Sequence, residues 1–235
     1  SKLYGRGIGI GLDVSGRSEH MMKFLVGAVV LTIAFGPFLD LTYRINEWML
    51  VEGSTLHTMA AALELEAARI TEAMLQMGTT GKFLATLAAV AVLPAVFEEL
   101  AFRGALQPLF AKWSGNIHVG VWVSAALFSA VHFQFFGFIP RMLLGAGFGY
   151  VVVASGSIWP AILGHFVNNA TAVTSAWYLG PEWIQEGMNP SEGAWGLSEW
   201  GTAVFFAAVL VFGISKLKEY SVAETNKARY LEPGR

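Results

Sequence analysis

From Trp113 to Pro140, and again from Met142 to Pro181, the chain contains no Asp, Glu, Lys or Arg. Soluble domains carry charge at about a quarter of their positions, whereas this chain of 235 residues is 14% charged and 54% hydrophobic. The shortfall is gathered into long uncharged runs, which points to lipid as the solvent rather than to a large aqueous core. Backbone polar groups in lipid must be satisfied within the segment, and helices do this. The expected fold is therefore all-α: a polytopic transmembrane helical bundle of about six spans with one amphipathic surface helix.

The expected spans are 21–39, 83–110, 117–138, 142–154, 158–177 and 201–214. The first begins too far from the N-terminus for a signal peptide and reads as a retained span. A polar excursion over 40–53 follows it. From Ser54 to Met77, apolar residues recur at 56, 59, 60, 63, 67, 70, 74 and 77, one helical stripe. Glu64, Glu66, Arg69 and Glu72 fill the rest, so this helix lies on the membrane or against the bundle, with Gly78 as its C-cap. Gly145, Gly147 and Gly149 in the fourth span suit close backbone approach between helices.

These elements divide the chain into a polar N-terminal tail (1–20), a first span with the amphipathic helix (21–82), a core of four spans (83–177), an outer loop with the last span (178–215) and a polar C-terminal tail (216–235). Lys and Arg concentrate in both tails, while 178–199 holds Glu182, Glu186, Glu192 and Glu199 without a basic residue. The positive-inside bias places both termini in the cytoplasm of an integral protein of a prokaryotic plasma (inner) membrane. The net charge of -2 and the lack of a basic cluster argue against a nucleic-acid partner. The partner expected from composition is the lipid bilayer. With no cysteine, the chain has no disulfide, no Cys-bound zinc and no thiol nucleophile.

Ionisable residues at bilayer depth are costly and mark function. The second span holds Glu98, Glu99 and Arg103 within six positions. Glu99 and Arg103 share a helix face and can neutralise one another. Glu98 points about 100° away and is free to face another group. His132 and His165 also lie in apolar context, and Asn169 shares a face with His165; Asn168 is a nearby alternative. Counting about 1.5 Å per residue from the inner turns puts Glu98 roughly 20 Å, His132 roughly 22 Å, His165 roughly 14 Å and Asn169 roughly 20 Å up their helices. The four groups share a depth, and His132 is the expected neighbour of Glu98.

A carboxylate and an imidazole around a water can activate it, while a second imidazole and an amide can donate to an oxyanion. The set suits hydrolysis of an acyl bond, most simply a peptide bond. The same Glu98, His132 and His165 also match a catalytic zinc site with an open position, although no His-Glu-x-x-His run is present. Zn²⁺ is thus a possible cofactor that spacing leaves open.

Glu98-Glu99-x-x-x-Arg103, Phe128-x-x-x-His132 and His165-x-x-x-Asn169 resemble, in order, the three motifs of the CPBP family of CAAX-prenyl-protease-like and bacteriocin-processing (Abi) proteins. The resemblance covers about residues 83–177. It implies an intramembrane endopeptidase, glutamate-type or metalloprotease, acting on a membrane-associated or lipid-modified protein. Glu98 and His132 would activate water, His165 and Asn169 would stabilise the oxyanion, and Glu99 and Arg103 would support them. The alternative it carries is a non-enzymatic bacteriocin-immunity or scaffold protein on the same fold.

Overall fold

The computed structural model describes residues 20–180 and 196–219. Most of both polar tails and of the acidic segment 178–199 lies outside these residues. The described chain is helical without a strand: α1 (Met21–Met49), α2 (Thr55–Leu75), α3 (Thr80–Ser114), α4 (Ile117–Ala130), α5 (Phe138–Ser155), α6 (Trp159–Leu179) and α7 (Leu197–Glu219). By length and composition, α3 and α5 are able to cross a membrane, and shorter apolar stretches occupy Met21–Gly36, Ile117–Ala130 and Trp200–Gly213. Helix α1 packs against α5, α6 and α7, α4 sits between α5 and the end of α3, and α6 lies along the middle of α3.

Several boundaries differ from the sequence reading. Helix α1 runs on to Met49, through the expected polar excursion. No glycine or proline interrupts 40–49, and the polar Asn46 is buried against the loop before α5, donating to the Phe135 carbonyl and accepting from the Ile139 N–H. Helix α2 starts at a Ser54 cap whose side chain accepts from the His57 N–H at 3.1 Å. It ends at Leu75 with Gln76 as its cap, short of Gly78. Helix α4 stops at Ala130 instead of running to 138, because Phe133 adopts a left-handed φ of 55°. The Ser129 hydroxyl donates to the Phe138 carbonyl at 2.8 Å and ties the end of α4 to the start of α5.

Helix α3 is not uniformly wound. Turns of π type span Leu87–Val92 and Leu100–Leu106, with the Leu93 N–H bonded to the Ala88 carbonyl and the Gln107 N–H to the Phe102 carbonyl. Each wide turn precedes a proline, Pro94 or Pro108. A proline ring clashes with the carbonyl four residues back and donates nothing, and a widened turn accommodates both defects without breaking the helix.

The core around this helix depends on close backbone approach. A Cβ on Gly149 would stand 2.7 Å from Gln107 Oε1, and one on Gly145 would stand 3.0 Å from Arg103 Nη2. Their carbonyls instead accept from those side chains, Arg103 Nη2 at 2.9 Å and Gln107 Nε2 at 3.2 Å. The expected small-residue face of α5 thus holds for Gly145 and Gly149. Gly147 has nothing within 4 Å of its Cβ position and is not part of it.

Candidate active site

The site is built on α3: Glu98 and Glu99 end the α-helical stretch between the two wide turns, and Arg103 lies within the second of them. Glu99, Arg103 and Gln107 recur every four residues and face inward, with side-chain exposures of 0% for Glu99 and 1% for Arg103. Arg103 Nη1 donates to Glu99 Oε1 at 2.9 Å. Its guanidinium also lies 4.7 Å from the centroid of the Phe128 ring. Buried charges need partners and further hydrogen bonds. Arg103 has both, in Glu99 and in the Gly145 carbonyl.

His165, buried on α6, approaches Glu99 from the opposite side, with Nδ1 2.9 Å from the same Oε1. An ionised carboxylate only accepts, so Nδ1 carries the hydrogen and Nε2 is directed away from Glu99. Nε2 lies 3.8 Å from Glu98 Oε2. Glu98, one residue along the helix, keeps 31% of its side chain exposed. The imidazole within 4 Å of Glu98 is therefore His165, not the expected neighbour His132.

His132 lies in the turn after α4, not on a helical face, because the chain reverses at Phe133. Its Nδ1 is 2.7 Å from the Phe128 carbonyl, which likewise fixes the hydrogen on Nδ1 and leaves Nε2 unprotonated in the neutral ring. The Phe128 ring meets His132 and His165 edge-on, with centroids 5.1 Å and 5.7 Å away. Phe128 thus holds both imidazoles and Arg103 around one aromatic ring.

Asn169 follows His165 by one turn of α6. Its Nδ2 donates to the Val90 carbonyl at 3.0 Å, inside the first wide turn of α3, and its Oδ1 accepts from Asn168 Nδ2 at 3.1 Å. Asn168, the nearby alternative, is thus hydrogen-bonded to Asn169.

Among the described residues, no three His, Asp or Glu side chains converge on one point that could hold a metal ion. Glu98 and His165 face each other, and with Nδ1 of each imidazole bonded to Glu99 or to the Phe128 carbonyl, both rings keep Nε2 for another partner.

Residues 80–171 match the family model described as type II CAAX prenyl endopeptidase Rce1-like. The motif-bearing segment is Rce1-like. The match begins on the first residue of α3 and ends two residues beyond Asn169, so it contains all three motifs and agrees with the family the sequence resembles. Comparison with curated proteins and with solved structures gave no match. The matched segment runs from the start of α3 into α6, and α1, α2 and α7 lie outside it.

A further charged group outside the motifs follows His132 in the chain: Arg141, in the first turn of α5. Its Nη2 donates to Gln134 Oε1 at 2.8 Å, and Gln134 Nε2 donates to Glu64 Oε1 at 3.3 Å. The expected spans 117–138 and 142–154 leave Arg141 between them. The signal available was its isolation: it is the single Asp, Glu, Lys or Arg between Lys112 and Glu182.

Proposed function

We propose that this protein is an intramembrane endopeptidase that hydrolyses a peptide bond in a membrane-associated, lipid-modified protein. The observation that carries the reading is the placement of Glu98: a partly accessible carboxylate, 3.8 Å from His165 Nε2, within a segment that matches the CAAX prenyl endopeptidases.

In this reading Glu98 is the general base and His132, through Nε2, completes the cradle for the attacking water. The water oxygen adds to the carbonyl carbon and its proton passes to Glu98. His165, anchored by Glu99, and Asn169 face the developing oxyanion. His165 donates there when its ring carries both protons. Collapse breaks the carbon–nitrogen bond, and the proton on Glu98 passes to the departing amine. In this reading every step runs through this chain's own side chains.

The test is cleavage of a farnesylated CAAX-type peptide by the purified protein in nanodiscs. Glu98→Gln is expected to lower the rate by about 10²–10⁴-fold, the range for a lost general base. Full activity in that variant would remove Glu98 from the mechanism.

A further inference from the structure

Helix α5 begins without a cap of its own. Its N-cap residue is Gly137, which has no side chain, so the first N–H groups of the helix need an acceptor from elsewhere. Asn46, near the end of α1, supplies one: its Oδ1 accepts from the Ile139 N–H at 3.3 Å, across 93 positions of sequence. Its Nδ2 donates to the Phe135 carbonyl. A side-chain amide has one accepting and one donating end, and here each faces the backbone group it requires. Asn46 is buried, and losing its amide leaves the Ile139 N–H without this acceptor.

Three more side chains of α1 and α2 grip the segment before α5. The buried Phe136 ring packs on Tyr43 of α1 and His57 of α2, with centroids 6.1 Å and 5.6 Å away. Gln134 Nε2 donates to Oε1 of Glu64 on α2 at 3.3 Å. The other side of the turn is fixed from α4: the His132 and Phe133 N–H groups donate to the Ser129 and Ala130 carbonyls, and His132 Nδ1 donates to the Phe128 carbonyl at 2.7 Å. Between these anchorages stands Phe133, with its φ of 55°. A residue other than glycine keeps a left-handed backbone only where its surroundings over-determine it. On the α5 side that constraint comes from Tyr43, Asn46, His57 and Glu64, and all four lie outside the family-matched residues 80–171.

We infer that Asn46 is a positioning residue for His132: by capping α5 and holding the Phe135 carbonyl, it keeps the turn at Phe133 and with it the direction of His132 Nε2. This rests on the endopeptidase reading above, in which that nitrogen helps to hold the attacking water. Helix α1 thereby contributes to catalysis without placing a residue at the reacting atoms.

Cleavage of the farnesylated CAAX-type peptide is measured for Asn46→Ala in nanodiscs, beside NMR of protein labelled with ¹⁵N in its five histidines. In Asn46→Ala kcat is expected to fall about 10–100-fold with KM little changed, since a misplacement of about 1 Å in a reacting group costs up to about that much. The ring signals of His132, assigned by their loss in His132→Ala, are expected to move while those of His165 stay. Asn46→Asp keeps an acceptor for the Ile139 N–H and gives up the donor. It is expected to retain more activity than Asn46→Ala, and it is read in place of that variant if the latter does not fold. An unchanged kcat or an unmoved His132 signal in a folded variant overturns the positioning role, as does a change confined to KM. Signals of His132 and His165 that move together overturn it too, because they mark a general loosening of the bundle. His132 displaced alone, with no cleavage by wild-type protein, would sink the endopeptidase reading and leave the contact standing; cleavage with His132 unmoved would sink the positioning alone.

Discussion

His165 Nδ1 stands 2.9 Å from Glu99 Oε1, and that carboxylate has no exposed surface. The contact joins α6 to α3 across 66 positions of sequence. It separates the two adjacent glutamates by task. Glu99 fixes an imidazole and an arginine from inside the bundle, and Glu98 meets the other nitrogen of that imidazole from the accessible side.

The division of labour predicts opposite phenotypes. Glu99→Ala leaves Arg103 charged and buried without its carboxylate, which costs about 3–5 kcal/mol when a buried pair is broken. The detergent-solubilised variant should melt well below wild type. Glu98→Gln should melt near wild type and lose activity instead. Thermal unfolding and peptide cleavage on the same preparations distinguish the two.

Helix packing gives a second contrast. A Cβ on Gly120 would meet the Gln107 backbone carbonyl at 2.6 Å and the Ala111 Cβ at 2.7 Å. Neither atom is the end of a flexible side chain, so Gly120→Ala should destabilise by about 1–3 kcal/mol through overpacking. Gly147→Ala meets nothing and should be neutral or stabilising by up to about 1 kcal/mol, the helix-propensity gain. Melting temperatures of the pair check this.

Glu64, on the amphipathic α2, gives a pH dependence. Burial holds its carboxyl above the ordinary carboxylate range, against the opposing pull of Arg141. The folded state therefore binds this proton more tightly than the unfolded chain does. Its contribution to stability is fully present below the unfolded value and is lost as pH rises through the folded one. Glu64→Gln should accordingly raise the melting temperature at pH 7, and the difference from wild type should shrink as pH falls towards 4. A constant difference across that range would contradict the assignment.

The donor geometry makes a prediction about metal. Since no three His, Asp or Glu side chains converge among the described residues, activity should survive dialysis against a strong chelator. Elemental analysis of that active sample should find zinc well below one ion per chain. Activity lost on chelation and restored by zinc would reject a glutamate-activated water.

Much of this was legible in the residues. The uncharged runs gave a helical fold, and the spacing of Glu99 and Arg103 gave their pairing. The three motifs marked the segment that matches the Rce1-like family. What the sequence could not show is how distant elements meet. The contact between Glu99 and His165 has no local signature. The left-handed Phe133 that takes His132 off its helix also falls in a run whose apolar character reads as continued span. Arg141 falls in the first turn of α5 rather than between two spans, since an isolated charge between apolar runs suits a helix start as well as a loop. The extension of α1 to Met49 was missed because Asn46 finds its partners in the loop before α5 and in its first turn, 89 to 93 positions away.

The two wide turns of α3 have a consequence for how the site is aimed. Each adds a residue to one circuit of the helix and so changes the rotational phase of everything beyond it. The segment between them, which carries Glu98 and Glu99, is angularly decoupled from both ends of the same helix. The ends can seat in whatever packing the bundle requires while the middle turns to its own bearing. A thirty-five-residue rod thereby behaves as three coaxial pieces, and the acid of the site sits on the piece whose orientation neither anchorage dictates.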